Sequence, residues 1–120
     1  MKETKMALEL NDDDKVSLDG LIRTVMTVRE TDPEMPAQTL YALLEIVKNP
    51  GITMIELQNK LNMSSAGTSR VVSRLSQIEK PNVPGLDFVL RSENLMDRRN
   101  KIVQPTPKGL AFVRKLLRKL

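Results

Sequence analysis

The middle of the chain holds two short helical patterns separated by two residues, and this arrangement constrains the fold most. In TMIELQNKL, Thr53 and Glu56 have capping-box spacing, so a helix is expected to start at Thr53. Asn62 and Met63 form the turn, and SSAGTSRVVSRL opens a second helix predicted over residues 64–79. A capped helix, a tight turn and a further helix together predict a helix-turn-helix.

This second helix is expected to have one apolar side and one side of small polar residues. At about 100° per residue, the core side collects Val71, Val72, Leu75 and Ile78, with Thr68 beside them. The opposite side collects Ser65, Ala66, Ser69, Arg70, Ser73, Ser76 and Gln77. Short side chains allow close approach by a bulky partner, although a surface helix of low propensity is the plainer interpretation.

Double-stranded DNA is the partner that this pattern favours. In helix-turn-helix proteins the start of the second helix enters the major groove, where serine can bond bases or phosphates. Arg70 is able to bind guanine O6 and N7 with two bonds, and Arg74 lies where it reaches a backbone phosphate. The candidate contacts on this helix are Ser64, Ser65, Ser69, Arg70, Ser73 and Arg74.

After a breaker-rich stretch, KPNVPG, interpreted as a loop, two short strands are predicted. Leu86, Phe88 and Leu90 alternate as in a half-buried strand, and NKIVQ is the second candidate. The connection between them, residues 93–99, ends in Arg98 and Arg99. Two strands with a basic tip after a helix-turn-helix describe a wing whose arginines suit the minor groove. An ordinary charged hairpin turn is the alternative.

Three further helices complete the predicted fold. Residues 15–30 keep helical apolar spacing behind the acidic Asp12, Asp13 and Asp14, which favour a helix N-terminus. A helix after Pro36 is expected to bury Leu40, Leu43, Leu44 and Val47, and Thr106-Pro107 opens the last helix. The fold class is therefore mainly α with a small antiparallel β-hairpin: a winged helix-turn-helix of about five helices plus a β wing.

One domain over residues 1–120 is expected, with three parts. The winged helix-turn-helix core spans residues 36–105, and the arm at 1–34 and the helix at 106–120 are assigned to dimerisation. Charge is uneven, with a net of −4 over residues 1–34, +1 over 35–90 and +7 over 91–120, which is a weak indication of a polyanionic partner.

Composition excludes several function classes. The chain has no cysteine and no histidine, which removes disulfides, thiolate catalysis, the common zinc sites and the usual neutral-pH base. Neither a nucleotide-binding glycine loop nor a paired-carboxylate motif is present, so no enzyme, cofactor or metal is expected. The charged N-terminus and the lack of a long apolar run predict a cytoplasmic protein without a membrane span.

The helix S-x-x-x-T-S-R-x-V-x-R-L, the DRR tip and the following V-x-x-T-x-K-G resemble the MarR (multiple antibiotic resistance regulator) family of winged-helix transcription factors. The resemblance covers residues 36–113 and implies a homodimer whose fourth helix enters the major groove and whose wing enters the minor groove. It also implies that Asp97 orients an arginine directed at DNA. Relative to that family, KPNVPGLDFV is a longer link, Gln104-Pro105 is expected to shorten or bend the second strand, and the chain stops inside the fifth helix. Dimerisation is therefore expected to depend on residues 6–30 and 106–120, and the alternatives are a weak dimer or none.

The function expected from these features is that of a sequence-specific transcriptional regulator acting on double-stranded DNA without a small effector. The alternative keeps the same scaffold as an adaptor that binds RNA polymerase or a replication protein. Single-strand binding is disfavoured because Tyr41, Phe88 and Phe112 are the only aromatic residues and all lie in apolar patterns.

Overall fold

The computed structural model describes residues 8–120, so residues 1–7 of the predicted arm lie outside the described part. The chain divides into two compact units, Met1–Pro33 with Lys115–Leu120, and Glu34–Arg114. The helices are α1 Asp12–Thr31, α2 Ala37–Lys48, α3 Met54–Leu61, α4 Ser65–Leu75 and α5 Pro107–Leu117. The strands are β1 Ile52–Thr53, β2 Ile78–Lys80, β3 Val83–Pro84, β4 Val89–Ser92 and β5 Ile102–Pro105. This set of helices and strands confirms the predicted fold class.

The first unit is built on α1, which begins three residues before the predicted Lys15. The Asn11 side chain accepts a hydrogen bond from the Asp14 backbone N–H at 2.7 Å, so the three aspartates lie inside the first turn and oppose the helix dipole. Gly20 is buried where an added Cβ would lie 2.9 Å from the backbone of Leu120. Five apolar residues near the middle of α1 are exposed in the single chain: Leu18, Leu21, Ile22, Val25 and Met26.

The core of the second unit lies between α2, α3, α4 and the strands. On α2 the buried residues are Thr39, Ala42, Leu43 and Ile46. The predicted stripe was therefore right at Leu43 and wrong at Leu44, which is exposed. Helices α3 and α4 bury apolar side chains against this stripe: Leu57 of α3, and Val71, Val72 and Leu75 of α4. The three residues of α4 belong to its predicted core side.

The helix-turn-helix has the predicted cap at Thr53, and Ser64, which was predicted as a DNA contact, is a second cap. Thr53 Oγ1 accepts from the Glu56 N–H at 3.1 Å, which starts α3. Asn62 ends α3 in the left-handed region at φ 52°, a conformation that asparagine tolerates better than most residues. Ser64 then caps α4 through a bond from the Gly67 N–H at 3.0 Å.

Helix α4 ends at Leu75, four residues before the predicted Glu79, and Ile78 is 63% exposed on β2 instead of buried on a helix. The returning chain explains the early end. The Leu86 N–H donates to the Arg74 carbonyl at 3.0 Å and the Phe88 N–H to the Leu75 carbonyl at 2.8 Å. Carbonyls that the last helical turn leaves unpaired are thereby satisfied without more helix. The predicted loop KPNVPG instead contains most of a β2–β3 hairpin.

The wing is the antiparallel pair β4–β5, with β1 on the other side of β5 in the order β1-β5-β4. The predicted inward face was wrong within the strand, because Val89 is 1% exposed and Leu90 is 62% exposed. Phe88 is buried but precedes the strand, next to Asp87 at φ 59°. A left-handed residue interrupts the alternation of an extended chain, so the pattern Leu86, Phe88, Leu90 does not mark one face. Strand β5 extends through Pro105, which pairs with Val89.

The start of α5 is fixed by contacts within the second unit. Thr106 Oγ1 accepts from the Gly109 N–H at 3.0 Å, as predicted for an N-cap. Phe112 stacks on Phe88 with ring centroids 4.7 Å apart. Among residues 8–120, no helix is long and apolar enough to cross a membrane, and no cluster of acidic side chains is arranged to hold a metal ion.

Candidate nucleic-acid interface

The N-terminus of α4 is the first part of the candidate interface. Ser64 uses its hydroxyl oxygen as the cap acceptor for Gly67, and its carbonyl accepts from the Thr68 hydroxyl at 2.9 Å. Ser65 and Ala66 are exposed at the first turn. The predicted contact Ser64 therefore has a structural role at this terminus, while Ser65 is open to a partner.

Arg91 of β4 occupies the middle of the small-residue side of α4. Its Nη1 donates to Ser69 Oγ at 3.4 Å, and its Nη2 donates to the Ser69 carbonyl at 3.3 Å and to Ser73 Oγ at 3.2 Å. One guanidinium thus connects the wing to two successive turns of the helix. We call Arg91, Ser69 and Ser73 the wing clamp.

The wing clamp gives a reason for serine on this side of α4. A long side chain at position 69 or 73 would occupy the space of the guanidinium, whereas serine leaves room and supplies an acceptor. Partial burial lowers the pKa of Arg91 from its ordinary value, but arginine remains charged under all ordinary conditions. Ser69 and Ser73 are accordingly half-buried, so the face they share with Arg91 presents a fixed cation.

Arg70 and Arg74 lie on the other flank of the same side. Arg70 is exposed. Arg74 is half-buried, and its Nη2 donates to the Glu34 carbonyl at 3.3 Å. Both arginines and Lys80 line a groove of about 350 Å³ beside α4. The predicted contact of Arg74 with a DNA phosphate stays a prediction, and the hydrogen bond just described is to the chain's own backbone.

The wing tip carries the other predicted residues. Asp97 Oδ1 accepts from the Arg99 backbone N–H at 3.1 Å, so this aspartate orders the tip through the main chain. Arg98 and Arg99 are both exposed. The tip is also tied to the helix-turn-helix, because the Met54 N–H donates to the Lys101 carbonyl at 2.8 Å. The structure therefore holds the basic tip on ordered backbone.

Arg91 was not among the predicted contacts, because the alternation of its strand predicted that it faces solvent. With Phe88 and Leu90 taken as inward, Arg91 falls on the solvent face with Val89. In the structure Val89 and Arg91 share the inward face. The usable signal was the four-residue spacing of Ser69 and Ser73 on the helix, which provides two acceptors on one face for a single long donor.

Residues 42–79 match the family described as winged helix-turn-helix DNA-binding. No curated protein matches the sequence. The crystal structure of MarR aligns with a TM-score of 0.63 at 18% identity, over 91% of this chain and 75% of that one. The fold is that of MarR.

Two other solved structures show the same likeness. The Staphylococcus aureus MepR–DNA complex aligns with a TM-score of 0.69 at 14% identity, over 88% of this chain and 79% of that one. RV1404 from Mycobacterium tuberculosis also gives 0.69, at 18% identity, over 92% and 75% of the two chains. The family match contains α3, α4 and all of β2 except Lys80, so the MarR-like fold and the sequence match meet at the helix-turn-helix.

Proposed function

We propose that this chain is a transcriptional regulator that binds double-stranded DNA with α4 in the major groove and the wing tip at the minor groove. The observation that carries the proposal is the pairing of exposed Arg70 on α4 with exposed Arg98 and Arg99 on an ordered wing. Helix-turn-helix proteins use the second helix in this way, and narrow minor grooves attract arginine. The MarR-like fold and a neighbour solved as a DNA complex support it.

The proposal includes a homodimer formed through the first unit. The exposed apolar residues of α1, from Leu18 to Met26, form a face that a single chain leaves in water. Such faces commonly mark interaction sites. A two-fold dimer would bring two copies of α4 to half-sites of a palindrome. Sedimentation of the purified chain measures whether two copies associate.

The adaptor alternative has no supporting observation of its own in residues 8–120. A partner such as RNA polymerase would need a docking face distinct from the basic one, and the charge of the wing region suits phosphates instead. The wing residues 91–101 carry a net charge of +2, within a C-terminal quarter (residues 91–120) of net charge +7, and this excess of cations favours a polyanion. DNA is therefore the partner proposed.

Replacing Arg70 with alanine should weaken specific duplex binding by about 1–3 kcal/mol and relax the preference at one base position. The reason is the loss of two bonds to a guanine edge. The measurement is binding by fluorescence anisotropy to duplexes selected by the wild-type chain, followed by a new selection with the variant. Lys48→Ala, an exposed cation at the end of α2, is the control. An Arg70→Ala chain with the same duplex affinity and the same base preference as the Lys48→Ala control would contradict the major-groove role of Arg70.

Replacing Arg98 and Arg99 together with alanine should reduce the slope of log affinity against log salt by about 2. Each phosphate contact contributes about 0.9 to that slope through counterion release. Base preference should change little, because contacts to the phosphates and sugars position the protein without reading the sequence directly. Titrations at four salt concentrations measure the slope, with Arg114→Ala on α5 as the control. A slope equal to that of the wild type would place the tip away from the duplex.

A further inference from the structure

The wing tip contains two successive turns with different chemistry. In the first, the Asp97 N–H donates to the Asn94 carbonyl at 3.1 Å and the Met96 N–H to Asn94 Oδ1 at 3.0 Å. In the second, the Asn100 N–H donates to the Asp97 carbonyl at 3.0 Å. The first turn therefore has Leu95 and Met96 at its centre, and the second has Arg98 and Arg99.

The apolar pair of the first turn is almost completely exposed. Leu95 is 87% exposed and Met96 is 93% exposed. Turn centres usually carry glycine, proline, asparagine, aspartate or serine, and none of the backbone bonds above requires a large apolar side chain. Because these two side chains are not buried, they add nothing to the stability of the fold. Each leaves apolar surface in contact with water, which is unfavourable.

The surroundings of the pair indicate a charged partner. Residues 91–101 contain Arg91, Arg98, Arg99 and Lys101 against Glu93 and Asp97, a net charge of +2. Two apolar side chains expose far less surface than a stable protein–protein interface buries. Minor-groove proteins, in contrast, combine arginine with a small apolar wedge, often leucine or methionine, which separates adjacent base pairs and bends the duplex by about 20–90°.

We propose that Leu95 and Met96 form an apolar wedge that enters a base step of the minor groove and bends the bound duplex. The wedge rests on the proposed DNA-binding function and adds to it a deformation of the DNA. Arg98 and Arg99 bind the flanking phosphates. The two turns, whose hydrogen bonds are accepted by Asn94 and Asp97, hold the apolar pair beyond the ends of the strands. Such a wedge selects flexible pyrimidine–purine steps, because these unstack most easily.

The experiment compares bending and affinity in the full chain. The probe is a duplex recovered from a random library by the wild-type chain and placed at several positions in a longer fragment, so that gel mobility reports the bend. The variant is Leu95→Ser with Met96→Ser, which keeps turn-compatible residues at both positions. Leu90→Ser is the matched control, because Leu90 is 62% exposed on the wing strand but not at the tip.

The wild-type chain and the Leu90→Ser control should bend the duplex by at least about 20°. The double variant should bind about tenfold more weakly, as expected for two apolar side chains returned to water, and should leave the duplex straight. Binding with an unchanged bend in the double variant would overturn the wedge while leaving the DNA-binding function intact. A change in sedimentation with an unchanged bend would also overturn it, because the tip would then contact a second copy. Absence of duplex binding by the wild-type chain would instead remove the proposed function.

Discussion

Replacing Gly109 with alanine is expected to destabilise the chain by about 3 kcal/mol, although alanine is the better helix former. Gly109 lies near the start of α5, and an added Cβ would be 2.0 Å from the Phe88 carbonyl oxygen and 2.8 Å from its carbon. Both contacts are with backbone, which cannot rotate away as a side chain can. The helix would have to move from the wing strand and disturb the stack of Phe88 on Phe112.

The sign of this effect makes the test decisive. Helix propensity alone predicts a gain of about 1 kcal/mol for glycine to alanine, so the two explanations differ in direction. Urea unfolding followed by circular dichroism measures the change in free energy. Ala111→Gly, at an exposed position of the same helix, gives the propensity scale locally and should cost about 1 kcal/mol. A Gly109→Ala chain as stable as the wild type would show that Phe88 and α5 do not approach this closely.

Local signals in the sequence were sufficient for the helix-turn-helix and for the caps at Thr53 and Thr106, whereas Ser64 was assigned to DNA contact instead of capping. Thr53, Ser64 and Thr106 each bond a backbone N–H three residues ahead, an interaction that depends only on neighbouring residues. The end of α4 was different, because Arg74 and Leu75 have their carbonyls satisfied by residues 86 and 88. That pairing is tertiary, and helical periodicity alone extends the helix past it.

The residues of the candidate interface also divide into those that local signals predicted and one that did not follow from them. Exposure of Arg70, Arg98 and Arg99 follows from helix phase and from the position of a polar turn, and both were predicted. Arg91 depended on the direction of alternation in β4. Phe88 and Val89 are both buried, so burial does not alternate where the chain enters β4, and the two-residue pattern of Phe88 and Leu90 gives the opposite face. The residue that fills the small-residue side of α4 was therefore assigned to the wrong face of its strand.

Arg91→Ala should lower the free energy of unfolding by about 3 kcal/mol, because it removes three hydrogen bonds from a charged donor at about 1 kcal/mol each. The bonds are 3.2 to 3.4 Å long, so each is valued below the usual contribution of about 1.5–3 kcal/mol for a charged donor. Arg91→Lys should recover less than half of the loss, since an ammonium cannot reach two serines with a planar fork. Urea unfolding measures all three chains. Arg98→Ala, at the exposed tip, is the control and should change stability by less than about 0.5 kcal/mol.

A double-mutant cycle isolates the wing clamp from other effects of losing an arginine. In a chain carrying Ser69→Ala and Ser73→Ala, Arg91→Ala should cost at least about 1 kcal/mol less than in the wild type, which is the coupling expected of contacting residues. Equal cost in both backgrounds would mean that the serines hold no part of the wing. The same variants separate positioning from contact on the proposed DNA face. Arg70→Ala should weaken duplex binding and leave the free energy of unfolding unchanged. Arg91→Ala should lower both the duplex affinity and the free energy of unfolding, because it removes the bonds that hold β4, and with it the wing, against α4.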